Sequence, residues 1–230
     1  MDDELSDPSG PITPGEIYAV LHAHYGDLEW WPAPGAFQVM VGAVLTQRTA
    51  WRNVEMAMER LEENGIDGID PLMALSAEEL ESLIRSSGTY VQKARCLVAL
   101  FAMVQRTSDG SLETFLALPR DQMRSDLLSV KGIGPETADS IILYAAKQPV
   151  FVVDAYTRRI LGRIGIEAGP SYDEVATWFT KGIEADAGIY NNYHAALVEL
   201  AKGFCQKVPR CEGCPLQTIC PTGRGTRLGQ

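Results

Sequence analysis

The sequence holds no apolar run that approaches bilayer thickness and no internal repeat, and it opens on Met1-Asp2-Asp3-Glu4, where a secretory leader would carry basic residues. A membrane-spanning helix and an exported chain are thereby set aside, and a cytoplasmic protein with reduced thiols is expected. Strand signals are almost missing: only residues 150–153 read as an extended apolar run, so the expected fold is all-α. Positive charge is scarce as well. Twenty Lys and Arg stand against thirty Asp and Glu, a net charge of −10 that, taken whole, argues against a nucleic-acid partner. The deficit is uneven, however. Residues 1–84 hold three basic and sixteen acidic side chains, whereas residues 85–230 hold seventeen and fourteen. The basic residues are concentrated where a local phosphate-binding face could use them.

A chain of 230 residues can bury a substantial core, as one large domain or two small ones. Residues 1–12, acidic and rich in Pro and Gly, read as a disordered tail. A helix opens at Thr13-Pro14 and closes near Tyr25-Gly26, and Trp30-Trp31-Pro32 follows in a loop. The segment at about 36–46 is apolar nearly all round and reads as a buried central helix. It runs into a polar cluster, Thr46-Gln47-Arg48-Thr49, where a capping turn and a functional loop are both open readings. A helix to about Glu62, an acidic turn at 63–70 and a capping box from Ser76 to Glu79 follow. Cys96, beside Leu97 and Leu100, reads as a small core residue. Later helices are expected at about 155–164, 172–185 and 189–204.

The stretch at 127–154 carries most of the functional signal. Met123, Leu127 and Val130 repeat at helical spacing, Gly132 and Gly134 break the pattern, and Ala138, Ile141, Ile142 and Ala145 restart it. This is a helical hairpin with a very short turn. The two glycines are expected to take backbone angles that side chains forbid and to leave the turn bare, and Pro135 suits the first turn of the second helix. Amides exposed at such a helix start favour an anion, most often a phosphate; a hairpin that merely packs is the plain alternative.

Lys131-Gly132-Ile133-Gly134-Pro135-Glu136-Thr137-Ala138, followed about twenty residues later by Val152-Val153-Asp154-Ala155-Tyr156, resembles the helix-hairpin-helix and downstream aspartate of the endonuclease III superfamily of DNA glycosylases. The resemblance extends over roughly residues 17–220 and implies two lobes. Residues 34–149 would form a helical barrel with the hairpin; 13–33 and 150–230 would form the second lobe, with Asp154 at the mouth of the cleft. It further implies that Gln47 reaches into the gap left by an extruded base, and that Lys131, Gly132, Ile133, Gly134 and Thr137 bind the DNA backbone. Lys93, in Gly88-Thr89-Tyr90-Val91-Gln92-Lys93-Ala94, would meet a phosphate. Trp51 beside Arg52 looks like the branch that removes alkylated bases. The implied partner is double-stranded DNA with a damaged base, bound by a monomer in the nucleoid.

Cys205, Cys211, Cys214 and Cys220 fall within sixteen residues, a loop too short to hold a core of its own. A compact run of four thiolates in a reduced compartment suits a [4Fe-4S] cluster, with zinc as the alternative. The spacing resembles the endonuclease III cluster loop, one residue shorter in the first gap, and Lys207 and Arg210 inside it could touch DNA.

Cleaving a base from deoxyribose builds positive charge on the sugar, so the catalyst sought is a fixed carboxylate. Asp154 is the candidate, and a helix N-cap is its structural alternative. Glu136 stands where bifunctional members of the resembled family carry the lysine that forms a Schiff base, which points to a monofunctional glycosylase. The expected substrate is an alkylated purine such as 3-methyladenine. Oxidised pyrimidines, mismatched thymine or uracil, and a non-catalytic DNA-binding iron–sulfur protein are the alternatives.

Overall fold

A computed structural model describes residues 11–225, apart from 29, 32 and 34. Nearly all of the expected tail at 1–12, and Pro32 of the tryptophan loop, lie outside the described residues. Among these residues the fold is all-α, with no strand. The helices are α1 (Pro14–Tyr25), α2 (Ala36–Leu45), α3 (Trp51–Glu63), α4 (Ile69–Met73), α5 (Ala77–Leu83), α6 (Tyr90–Ser108), α7 (Leu112–Leu116) and α8 (Arg120–Ser129). They continue with α9 (Pro135–Tyr144), α10 (Ala155–Ile164), α11 (Tyr172–Thr180), α12 (Ala187–Gly203) and α13 (Pro221–Gly225). A 3-10 turn, Arg85–Ser87, precedes α6. The chain divides into two compact units, Glu29–Val152 with Ala185–Asn191, and Met1–Leu28 with Val153–Glu184 and Asn192–Gln230.

The first unit is built around α2, eight of whose ten residues are buried. Its buried Phe, Val, Met and Leu side chains each contribute about 1.5–3 kcal/mol on leaving water, which is why an all-apolar helix of this length ends at the centre. Helices α6 and α9 pack on it. The hairpin of α8 and α9 sends Met123, Leu127, Val130, Ala138, Ile141 and Ile142 into the same core. An ion pair pins its two helices together: Arg124 donates to both carboxylate oxygens of Asp139, at 2.7 and 3.3 Å, and the Asp139 side chain is only 1% exposed.

Lys93 corrects the expectation of a phosphate contact. It is 2% exposed, and its ammonium donates to the Leu45 carbonyl at 2.8 Å and the Ser87 carbonyl at 2.6 Å. Lys93 therefore ties the end of α2 to the turn before α6, and burial pushes its pKa down. It lies on the same face of α6 as Ala94, Leu97, Leu100 and Phe101, which is the core face.

The second unit centres on Tyr193 of α12. Its ring meets Tyr18 at 5.0 Å and the edge of Phe179 at 5.3 Å, and its hydroxyl donates to the Pro14 carbonyl. Helix α1 starts with a capping box between Thr13 and Glu16, and α5 and α11 start with the same device at Ser76/Glu79 and Ser171/Glu174. Helix α11 stops at Thr180, short of the expected 185, because Gly182 takes a left-handed φ of 74°. Residues 69 and 70, expected at the end of the acidic turn, instead open the short α4. Residues 150–153, expected as an extended apolar run, form no strand or helix, and Phe151, Val152 and Val153 are buried.

Replacing Lys93 by Met fills the volume but leaves two buried carbonyls without a donor. The expected result in urea unfolding is a loss of about 2 kcal/mol with an unchanged m-value.

Candidate active site

The hairpin turn between α8 and α9 is shaped by one glycine rather than two. Gly132 has φ 103°, a region closed to side chains, and a Cβ there would sit 3.1 Å from the Cys96 sulfur of α6. Gly134 has φ −98° and ψ 177°, an extended conformation open to any residue; as the N-cap of α9 it carries no capping side chain, and a Cβ would meet nothing within 4 Å. The expectation that both glycines take forbidden angles is corrected for Gly134, whose role is to leave the helix start bare. The Gly132 and Gly134 N–H groups have no acceptor among the described residues. Ile133 behaves differently: its side chain is buried and its N–H donates to the Val130 carbonyl at 3.0 Å, so this residue anchors the turn. Lys131 is exposed, and Glu136 stands exposed in the first turn of α9.

Gln47, just past the end of α2, is brought to this turn. Its amide donates to the Gly132 carbonyl and the Thr137 hydroxyl, each at 3.0 Å, and Thr137 is buried. The loop after α2 and the hairpin thus share one hydrogen-bonded junction. Arg48, next in sequence, is exposed and has φ 54°, an uncommon conformation for a side-chain-bearing residue.

Trp51 opens α3 and donates its indole N–H to Glu55 at 2.9 Å. Its ring meets Trp31 edge to face at 5.5 Å, and Trp31 stacks on Tyr144 at 4.9 Å. The Trp31 ring lies so close to α2 that a Cβ on Gly42 would come within 3.3 Å of it. Trp31, Trp51 and Phe37 line a cavity of about 320 Å³ in the first unit. Arg52 is exposed and does not line it.

Asp154 caps α10. Its Oδ1 accepts from the Thr157 N–H at 2.7 Å and the Thr157 hydroxyl at 2.8 Å. Its Oδ2 lies 3.7 Å from Nε2 of His194, a histidine of α12 that is 6% exposed. Burial of Asp154 raises its pKa, but the His194 ring and the two Thr157 donors outweigh it, and the carboxyl stays below the ordinary aspartate range. The Tyr172 hydroxyl accepts from the Val153 N–H at 3.3 Å and steadies the segment that leads to Asp154. His194 is the residue that sequence reasoning missed. Its signal was only a histidine among apolar neighbours in an amphipathic helix, and what it faces is set by tertiary structure.

The cysteine loop is held by the far end of α10. Arg159 donates to the Cys205 carbonyl at 2.8 Å; Arg163 donates to the Cys205 sulfur at 3.1 Å and to the carbonyls of Gln206 and Lys207. Cys205, Cys211, Cys214 and Cys220 are free thiols. Burial pushes the Cys214 thiol up, and the three neighbouring sulfurs add to it. Among the described residues, no three His, Cys, Asp or Glu side chains converge on one point as they stand. The Tyr25 hydroxyl is buried with no partner among the described residues, and burial together with Cys214 and Glu199 pushes its pKa up to about 12. Four soft sulfurs, an N–H aimed at one of them and an unspent phenol nearby are a donor set that fits a thiolate-bound cluster.

The chain as a whole is similar to known proteins. The chain is 39% identical over 208 residues to a protein of Methanocaldococcus jannaschii that is provisionally assigned as a DNA repair glycosylase, covering 89% of this chain and 94% of that one. The 3-methyladenine DNA glycosylase of H. pylori, solved with 1,N6-ethenoadenine bound, superposes with a TM-score of 0.74 at 30% identity, covering 83% of this chain and 98% of that one. A non-covalent endonuclease III–DNA complex superposes with a TM-score of 0.80 at 26% identity, over 95% and 100% of the two chains. The family model for HhH-GPD base excision DNA repair proteins matches residues 41–185, a span that holds the Gln47 loop, the glycine hairpin and Asp154. With that match over more than half its length, the chain belongs to the HhH-GPD superfamily of base excision DNA repair proteins.

Proposed function

We propose that this protein is a monofunctional DNA glycosylase that releases alkylated purines such as 3-methyladenine from double-stranded DNA and leaves an intact abasic site. The observation that carries the reading is Asp154: a carboxylate kept ionised, with one oxygen committed to capping α10 and the other facing His194. As the C1′–N bond breaks, the base leaves with the bonding electrons and positive charge grows on the sugar. A fixed negative group stabilises that charge, and water adds to C1′ and loses its proton. Residues that hold the duplex are Lys131 and the bare Gly132 and Gly134 amides at the start of α9. Gln47, already extended to the hairpin, is the residue assigned to fill the space of the extruded base. The tryptophans Trp31 and Trp51 favour a flat, electron-poor ring.

Two further observations support the finer points. Glu136 offers no amine where a Schiff base would form, which favours hydrolysis without strand cleavage. The four-cysteine loop, clamped by Arg159 and Arg163, would hold a [4Fe-4S] cluster through Cys205, Cys211, Cys214 and Cys220, and such a fully ligated cluster stabilises the loop.

Purified protein incubated with duplexes carrying 3-methyladenine or thymine glycol is expected to release the alkylated base, with strand breaks only after hot alkali. Asp154→Asn keeps DNA binding and loses base release. Immediate breaks, or release of thymine glycol alone, would overturn the reading. In the pH profile, release does not fall through Asp154 protonation until the pH drops below the ordinary aspartate range, because the folded carboxyl titrates below its unfolded value. His194→Ala moves that acid limb to higher pH. Metal analysis finds about four irons per chain, and Arg163→Gln bleaches the visible absorbance roughly tenfold faster under chelator; stoichiometric zinc would refute the cluster.

A further inference from the structure

Gln47 reaches the hairpin turn in a way that fixes which of its two polar atoms stays available. Its Nε2 lies 3.0 Å from the Gly132 carbonyl and 3.0 Å from the Thr137 hydroxyl. A carbonyl can only accept, so this position must hold the NH2 group; turning the amide over would set two oxygens against each other. Both amide hydrogens are thereby spent. The remaining polar atom, Oε1, accepts nothing among the described residues and stays open to water. Neither acceptor can follow the side chain if it moves. Thr137 is 7% exposed in the first turn of α9, and Gly132 is held at φ 103° in the turn that Ile133 anchors. A long, flexible side chain is therefore ordered before any DNA arrives, and that ordering need not be repeated on binding. Gly132 also serves two partners: its carbonyl takes Gln47 while its N–H is unspent, so the grip on a phosphate and the placing of Gln47 share one residue.

We propose that Thr137 is a positioning residue that, with the Gly132 carbonyl, keeps Gln47 latched to the hairpin while Gln47 occupies the gap in the duplex, and that this latch selects the base left unpaired on the other strand. The proposal rests on the assignment of Gln47 to that gap and deepens it. A lone acceptor at the centre of the gap suits a base whose central Watson–Crick atom carries a hydrogen, the N3–H of thymine or the N1–H of guanine. The N3 of cytosine and the N1 of adenine are acceptors and meet Oε1 lone pair to lone pair. Their amino groups lie off centre, and reaching one requires a shift that the latch resists. An extruded adenine leaves thymine behind, whereas an extruded guanine leaves cytosine. The latch therefore favours alkylated adenine over alkylated guanine.

The test measures binding of the full-length protein, by fluorescence anisotropy, to four labelled duplexes that carry a tetrahydrofuran abasic analogue opposite T, G, C or A. These duplexes hold no base to excise, so the outcome does not depend on which lesion is released. The wild-type protein is expected to bind the T and G duplexes about threefold to tenfold tighter than the C and A duplexes. In Thr137→Val, which keeps the volume and loses the acceptor, the amide is free to turn and the ratio should fall towards one. Thr137→Ser, which keeps the hydroxyl, should restore it. An unfolded fraction lowers all four affinities alike, so a merely structural role for Thr137 leaves the ratio unmoved. A wild-type ratio near one, or one that favours C or A, overturns the proposal, and so does a preference that survives in Thr137→Val. Preference for T and G in a protein that releases no alkylated base upholds the latch and overturns the proposed reaction; release of alkylated bases with no opposite-base preference does the reverse.

Discussion

A lysine ammonium closed inside the first unit sets the position of much of what the protein uses. Lys93 reaches across from α6 and donates to the last carbonyl of α2 and to the carbonyl of Ser87. Helix ends leave carbonyls unpaired, and a buried helix end cannot turn to water for them. With Lys93 in place, α2 can terminate in the core, and the chain that leaves it is delivered as a rigid turn. Gln47 lies two residues beyond that carbonyl and Trp51 six, so the junction with the hairpin and the aromatic wall of the cavity both inherit their placement from one buried cation.

Helix N-termini divide the remaining work between two opposite solutions. The start of α9 is left without a capping side chain, with Gly132 and Gly134 amides unspent, and its partial positive charge is available to an outside anion. The start of α10 is capped by Asp154, which spends one oxygen on Thr157 and keeps the other. A carboxylate used as a cap is held in one rotamer and kept ionised by its donors. The two readings of Asp154, cap and catalyst, are therefore compatible: the first supplies the rigidity and charge that the second needs.

Much of this was legible in the sequence. Helix α1, the capping box at Ser76, the hairpin and α10 appear where periodicity and capping chemistry put them, because local rules govern these places. The failures are instructive. Lys93 was expected to meet a phosphate, as the resemblance at residues 88–94 implied, although its helical neighbours Ala94, Leu97 and Leu100 form the buried face. Gly134 was credited with a conformational freedom that only Gly132 uses, since two glycines in one turn look alike until their dihedrals are known. His194 and the arginine clamp on the cysteine loop depend on contacts between distant segments, and no local pattern encodes them.

The close approach of Gly132 to Cys96 also divides the cysteines into two chemical populations. Burial pushes the Cys96 thiol up to about 11, so at neutral pH it is almost wholly protonated and shut behind the hairpin turn. The other four sulfurs sit half-buried in a surface loop. A chain with five cysteines thus presents itself to alkylating reagents and oxidants as one with four, and every thiol modified in the native protein reports on the state of that loop alone.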